Sequence, residues 1–316
     1  MSNQINSPAQ SGYGGETSLP ARITKQASKQ TYYTFRILVE RKHLQDAYRS
    51  YAYFRWLDDL LDCDHGTKSE KLTLINDQRD LLEACYHKQP HTIQSPEEQM
   101  LVDLVAKDHE ESSGLQFYLR NMMALMVFDV ERCGRWITQA ELSEYSRMLS
   151  TAVTELLFHF IGHDDPSPRT PDRYQAVRGA HIVHMLRDLL DDIDLGYINL
   201  PAEVLDTHQV TLDDLDSDAF RKWVQERVTL ARQCFSAGRK YFSTVKSLKC
   251  RLAAHAYLAR FEWMLMTIER DGYRLRRAYP ERKSLRAGGW MAWRVIKSAF
   301  NLSVQEEINR PIALPD

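Results

Sequence analysis

The sequence has few of the features that mark secreted, zinc-binding or redox proteins. Its 316 residues include only five cysteines, which are widely spaced and form no C-x-x-C pair. An odd number of scattered cysteines is typical of reduced thiols and provides neither a zinc site nor a disulfide framework. The N-terminal residues 1–27 lack the apolar core of a secretory signal. We therefore expect a cytoplasmic protein.

Three further absences exclude other classes of protein. The 41 basic side chains are balanced by 43 acidic ones, so the basic excess typical of a nucleic-acid-binding protein is missing. No segment approaches the roughly 18 consecutive apolar residues that predict a transmembrane helix. No strand is followed by a G-x-G-x-x-G turn and a helix, which argues against a nicotinamide-binding Rossmann unit. We expect no nucleic-acid partner and no membrane span.

Helical periodicity dominates what remains, and strand alternation is rare. No Pro/Gly-rich linker divides the chain, and 43% of its residues are hydrophobic. We predict an all-α protein with one helical-bundle domain at 28–316, arranged around a central cavity and preceded by a mobile tail at 1–27. The predicted helices are 31–63, 68–87, 97–110, 114–132, 139–162, 171–195, 218–245, 248–277 and 286–300. Thr138 and Ser217 are predicted N-caps.

Residues 181–194 combine ionisable and apolar side chains at helical spacing. His181, His184, Asp188 and Asp192 recur every three or four residues and therefore share one face of the predicted helix. Most of the other side chains are apolar, so the helix is buried on most sides. Because unpaired carboxylates are costly inside a protein, we expect this face to line a cavity that binds something positive.

A second segment, 51–62, repeats this design. Asp58 and Asp62 are four residues apart, Arg55 precedes Asp58 by three, and most other positions are aromatic or aliphatic. Carboxylates are the ligands that Mg²⁺ prefers, and arginine provides forked donors for phosphate. We therefore expect the two acid pairs to face one another across one cavity and to bind magnesium. Asp59 and Asp191 point about 100° away from their neighbours, so surface or supporting roles suit them at least as well as metal ligation.

These two segments resemble the aspartate-rich motifs of the squalene/phytoene synthase family. The second motif is matched by His184-Met185-Leu186-Arg187-Asp188, then Asp191-Asp192, then Gly196-Tyr197-Ile198-Asn199-Leu200-Pro201. Thr31-Tyr32 resembles the family's N-terminal Ser-Phe, and Met126-Val127-Phe128-Asp129 resembles its Met-x-Met-Asp, with Tyr145 on the following helix. The likeness spans about residues 28–280.

The resemblance implies an isoprenoid synthase fold and a magnesium-dependent transferase that condenses two prenyl diphosphates head to head, with loss of diphosphate. Farnesyl or geranylgeranyl diphosphate would be the substrate, and use of NADPH is left open. The implied catalytic residues are Tyr51, Arg55, Tyr145 and Arg187, and we add His181 and His184 because they share a helix face with Asp188. The implied substrate-binding residues are Tyr32, Arg55, Asp129 and Arg187, and the metal ligands are Asp58, Asp62, Asp188 and Asp192.

The chain also departs from the family pattern. His181 and His184 stand where Gln and Asn are usual, and Thr151 and Thr154 replace glycines. Three roles stay open for the imidazoles. They replace amide donors, and would then titrate between about pH 5.5 and 7.5, or they move a proton to or from a carbocation, or they only pack. Two alternatives therefore stay open: an enzyme that ionises a single prenyl diphosphate and cyclises or hydrolyses it, and a non-catalytic assembly factor.

The C-terminal segment 288–297 mixes two tryptophans with Arg294 and Lys297. Such a helix suits peripheral contact with a membrane surface, and it equally suits ordinary packing against the bundle. The sequence leaves both interpretations open.

Overall fold

The computed structural model describes residues 18–62, 66–162, 165–208, 212 and 214–299. The helices are α1 Leu19–Ala27, α2 Lys29–Leu38, α3 Leu44–Asp62, α4 Lys68–Tyr86, α5 Pro96–Val105, α6 Gly114–Arg132, α7 Gln139–Phe160, α8 Asp172–Asp194, α9 Ala202–His208, α10 Asp218–Thr244, α11 Leu248–Arg270 and α12 Leu285–Ala299, with a 3-10 helix at Pro280–Lys283. The described residues form no β-strand, only an isolated bridge between Ile137 and Pro201. The all-α prediction is confirmed.

Helix α8 packs against α7, α10 and α11, and it is especially close to α10. A Cβ atom at Gly238 of α10 would lie 2.6 Å from the backbone nitrogen of Ala176 in α8. The two helix backbones therefore touch, and a side chain at position 238 would push them apart.

Two apolar clusters lie on either side of the functional cavity. One forms around α1 to α6 and includes Tyr48, Tyr53 and Leu119. The other joins α8, α10 and α11 and includes Phe220 and Leu265. Because α3 and α6 belong to the first cluster and α8 and α11 to the second, a cavity lined by all four helices lies between rigid walls.

The prediction of a mobile tail at 1–27 is wrong for its last nine residues, which form α1. Small side chains allow this helix to lie close to α3: Pro20, Ala21 and Thr24 are buried, and Ser18 donates a hydrogen bond of 2.8 Å to Gln45. Because these buried side chains are small, a search of the sequence for large apolar residues does not detect their packing. Residues 1–17 lie outside the described part of the chain.

Other predicted boundaries also need correction. The helix predicted at 31–63 is two helices, because Val39 adopts an extended conformation and 40–43 form a turn without Gly or Pro. The helix predicted at 248–277 ends at Arg270, where Gly272 and Tyr273 adopt positive φ angles of 62° and 63°. Helix α9 was not predicted.

Both predicted N-caps are confirmed. Thr138 forms a capping box with Glu141, and the Ser217 side chain accepts a hydrogen bond from the Phe220 amide. These caps fix the starts of α7 and α10. Among the cysteines, Cys63 lies outside the described residues and the other four are free thiols.

Candidate active site

A cavity of about 960 Å³ is lined by α3, α6, α7, α8 and α11. Its ionisable and polar lining residues are Arg55, Asp58, Asp62, Lys68, Lys71, Asp129, Arg132, Tyr145, His181, His184, Asp188, Asp192, Tyr197, Asn199, Tyr257 and Arg260. Its apolar lining includes Leu61, Met126, Val130, Leu149, Val153, Met185 and Phe261. One space thus offers charged groups for an anion and an apolar surface for a long hydrophobic chain.

Both predicted acid pairs line this cavity. Asp58 and Asp62 come from α3, whereas Asp188 and Asp192 come from α8, far away in the sequence. Asp59 and Asp191 do not line it, and each side chain is 56% exposed. The placement that helical spacing predicted is therefore present, and the roles of the carboxylates as metal ligands stay a prediction.

The negative charge of the first acid pair is only partly neutralised by its neighbours. Burial and repulsion from Asp62 raise the pKa of Asp58 to about 6, although Arg55 Nη1 lies 3.0 Å from its Oδ2. Arg55 also contacts Asp59, which divides its charge between two acids. The positive charge that Arg55 provides is therefore smaller than the combined negative charge of the two carboxylates.

The two carboxyl groups of the second acid pair differ in pKa. Burial opposes ionisation of Asp188, but hydrogen bonds from Arg187 and from His184, 3.0 Å away, outweigh it and hold its pKa below the usual range. Burial and the neighbouring Asp188 raise the pKa of Asp192 to about 6. One carboxylate is therefore already charged and paired, and its neighbour is the one that a cation would ionise.

A buried network supports the second pair, and sequence reasoning missed two of its members. Asn199 donates a hydrogen bond of 2.7 Å to Asp192 and accepts one from Arg132. Arg132 in turn donates a hydrogen bond of 2.6 Å to Asp129. Asp129 also accepts a hydrogen bond of 3.1 Å from the Tyr145 hydroxyl. The Asp129–Arg132 spacing of three was a local signal for Arg132, and Asn199 lies in the second aspartate-rich motif. The contact between Arg132 and Asn199 joins residues 67 apart in sequence and left no such signal. The bridge between Ile137 and Pro201 holds the Asn199 loop in place.

His181 is buried on the cavity wall. Its Nδ1 lies 3.0 Å from Ser146 Oγ, and its ring stacks on Tyr145 with centroids 5.2 Å apart. Burial, followed by the nearby His184 and Arg132, lowers the pKa of His181 to about 3. The imidazole is therefore neutral at neutral pH, and His181 does not titrate between about pH 5.5 and 7.5 as its role as an amide replacement would require.

Three predicted site residues do not line this cavity. Tyr32 is 1% exposed and stacks on Tyr48, with centroids 5.2 Å apart, so it is a core aromatic. Tyr51 lies on α3 but is not among the lining side chains. Arg187 faces the other side of α8 because it directly precedes Asp188, and side chains one residue apart diverge on a helix.

Arg187 lines a second, smaller cavity of about 370 Å³ that shares Asp188 with the first. Its other ionisable lining residues are Asp191, Arg277 and Arg282. Arg277 pairs with Asp194 and, at 3.4 Å, with Asp191. Arginines thus lie on both sides of Asp188, with Arg260 in the main cavity and Arg187 in the small one.

The donor set suits magnesium better than a transition metal. No group of three or more His, Cys, Asp or Glu side chains among the described residues is placed to hold an ion alone. Magnesium commonly takes one or two protein carboxylates and completes its shell with water and substrate phosphate. Two acid pairs on one cavity, each with one carboxyl whose pKa is raised, fit that requirement.

Comparisons with known proteins agree with this geometry. The sequence profile of the squalene/phytoene synthase family matches residues 24–287. The fold is similar to that of the squalene synthase HpnC from Alicyclobacillus acidocaldarius, with a TM-score of 0.67, 22% identity, and coverage of 82% of this chain and 94% of that one. It is also similar to a dehydrosqualene synthase solved in complex with a ligand, with a TM-score of 0.67, 18% identity, and coverage of 90% and 95%. No curated protein matches the sequence. The two structures share the fold, and the profile match over most of the length shows that the chain belongs to the squalene/phytoene synthase family.

Proposed function

We propose that the protein is a magnesium-dependent prenyl transferase that condenses two prenyl diphosphates head to head and releases diphosphate. The single observation that carries this proposal is the joint placement of both acid pairs on one cavity that also has an apolar wall, which includes Leu149, Val153 and Phe261. Family membership supports prenyl transfer in general terms. The resemblance and the chemistry of the lining residues support the finer assignment.

The polar part of the cavity suits a diphosphate group. Asp58, Asp62, Asp188 and Asp192 would hold the metal ions, and magnesium would neutralise the diphosphate and make it a better leaving group. Arg55 and Arg260 also line the cavity and would bind the non-bridging oxygens. Burial and the nearby Arg187 lower the pKa of Arg260, because both disfavour its positive charge.

The apolar part suits the prenyl chain and the carbocation that forms when diphosphate leaves. Met126, Leu149, Val153 and Phe261 exclude water that would quench the cation. Aromatic faces, here those of Tyr257 and Phe261, attract positive charge. The neutral His181 does not repel a cation, as a protonated imidazole would.

The second cavity favours two prenyl diphosphates over one. It shares Asp188 with the main cavity and presents Arg187 and Arg282. Arginines in this second cavity would bind a second diphosphate close to the first. An enzyme that cyclises a single substrate has no such requirement.

The test is a product assay. Purified protein is incubated with Mg²⁺ and farnesyl or geranylgeranyl diphosphate, with and without NADPH, and the extract is analysed by mass spectrometry. We expect a C30 or C40 product formed from two prenyl units. A product with the carbon count of one substrate would instead establish the single-substrate alternative, and no release of diphosphate from either substrate would contradict both.

A further inference from the structure

Helix α12 exposes an apolar strip to solvent. Leu285, Ala292 and Ile296 share one side of the helix, and Trp293 adjoins them. Leu285 is 96% exposed, Trp293 52% and Ile296 54%. Single exposed apolar residues are ordinary, but several on one helix face mark an interaction surface.

The opposite side of α12 is anchored to α11. Ala287 is fully buried, and the Trp290 ring lies with its centroid 5.6 Å from that of Trp263. Arg294 points inward, with its Nε 3.2 Å from the carboxylate of Glu262. Because these contacts fix the rotation of the helix, the strip cannot turn inward without breaking a nearly buried ion pair.

Charge distinguishes the possible partners. Residues 282–299 contain five basic side chains and no acidic one, in a chain whose formal net charge is −2. Arg286 is exposed next to the strip and has no ion pair among the described residues, and Lys297 Nζ lies 5.1 Å from the centre of the Trp293 ring. A second copy of this chain would bring the same positive surface face to face, whereas an anionic membrane is complementary to it.

We propose that α12 is an amphipathic helix that docks on the surface of a membrane containing anionic lipids. Trp293, Ile296 and Leu285 enter the boundary between headgroups and acyl chains, and Arg286 and Lys297 contact lipid phosphates. Tryptophan is common at this depth because its ring is both apolar and polar. Among the described helices, none has the length and hydropathy to pass through a bilayer.

This docking places the membrane one helix away from the cavity. Tyr257 and Phe261 of α11 line the cavity, and Trp263 and Met266 of the same helix pack beneath α12. If the proposed function holds, a water-insoluble product forms close to the phase in which it dissolves. The docking itself does not depend on that function, because the strip and its charges lie outside the cavity.

The test is co-sedimentation of the full chain, without substrate, with vesicles of phosphatidylcholine alone or mixed with an equal part of phosphatidylglycerol. Wild type should bind the anionic vesicles and lose binding at high salt. The double variant Trp293→Ser/Ile296→Ser should bind at least about tenfold less, and Arg286→Glu at least about fivefold less. Ile37→Ser, at a 72% exposed position on α2, is the matched control and should bind like wild type.

Failure of wild type to bind anionic vesicles would overturn the proposal, as would wild-type binding by both the double variant and Arg286→Glu. If the double variant unfolds, Leu285→Ser provides the test of the strip, because that side chain is almost fully exposed and its loss does not affect packing. A dimer that the double variant dissociates would show that a second copy covers the strip. The product assay decides prenyl transfer separately, so either proposal can fail without the other.

Discussion

The two acid pairs occupy the same cavity but are supported differently. Asp58 and Asp62 depend on their own helix, since the close cation Arg55 is also shared with Asp59. Asp192 is held by Asn199 and, through it, by the buried Arg132 of α6. The second pair is thus fixed by a network across several elements, whereas the first can adjust. We therefore expect the loss of a supporting residue to affect the second pair more than the first.

The largest effect is expected from removing one carboxylate of each pair. Asp62→Asn and Asp188→Asn should each lower kcat/KM by about a thousandfold or more, because under the proposed function each would remove a charged oxygen ligand from the metal that stabilises the leaving group. Circular dichroism should show that the fold is kept. Asp59→Asn, on the same helix as Asp62 but facing away from the cavity, is the matched control and should retain most activity.

The next prediction compares how strongly each acid pair depends on its neighbouring arginine. Arg132→Gln should lower activity by about 10- to 100-fold, as loss of a residue that orients a metal ligand does. It should also cost roughly 3 kcal/mol of unfolding free energy, since Asp129 and Asn199 lose their buried partner. Arg55→Gln should cost less than about 1 kcal/mol, because its side chain is 38% exposed. Equal losses of stability in urea titrations would contradict the difference in support.

A smaller effect concerns the imidazole beside Asp188. His184→Asn keeps an N–H donor near this carboxylate and should retain most activity, whereas His184→Ala should lower kcat/KM by about fivefold, the worth of about 1 kcal/mol for one hydrogen bond. The paired variant His181→Gln tests its neighbour: an altered product with unchanged diphosphate release would show that His181 moves a proton. Unchanged rates and products for all three variants would show that both histidines only pack.

The smallest effect is on stability. The pKa of Asp58 and of Asp192 is raised to about 6 in the folded protein, so each carboxyl favours folding fully below about pH 4 and loses that contribution as pH rises through 6. In metal-free buffer at pH 7.5, Asp58→Asn should therefore stabilise the fold by about 1 kcal/mol, after allowing for the 40% exposure of the Asp58 side chain. Asp192→Asn should stabilise the fold by less, since it also weakens the hydrogen bond that Asn199 donates to this position. The gain should disappear near pH 4, as measured by urea unfolding.

What the sequence could predict depended on local spacing. Helical periodicity placed Asp58, Asp62, Asp188 and Asp192 on apolar helices, and the structure brings them to one cavity. It could not place Tyr51 or Arg187, because a shift of one position on a helix turns a side chain by about 100° and decides which cavity it faces.

Other features depended on contacts that no local pattern records. The pairing of Arg132 with Asn199 joins residues far apart in sequence, and α1 is stabilised by small side chains packed against α3. The break at Val39 lacks the Gly or Pro that usually announces one. Tertiary packing determined each of these outcomes.

The central claim is that both acid pairs act on one magnesium–diphosphate complex, and calorimetric titration with inorganic diphosphate tests it without requiring turnover. Wild type should bind diphosphate with Mg²⁺ present and lose this binding in EDTA. Asp62→Asn and Asp188→Asn should each weaken it by at least about tenfold, whereas Asp59→Asn should not. Binding that is indifferent to Mg²⁺, or that survives in both Asp62→Asn and Asp188→Asn, would contradict the account.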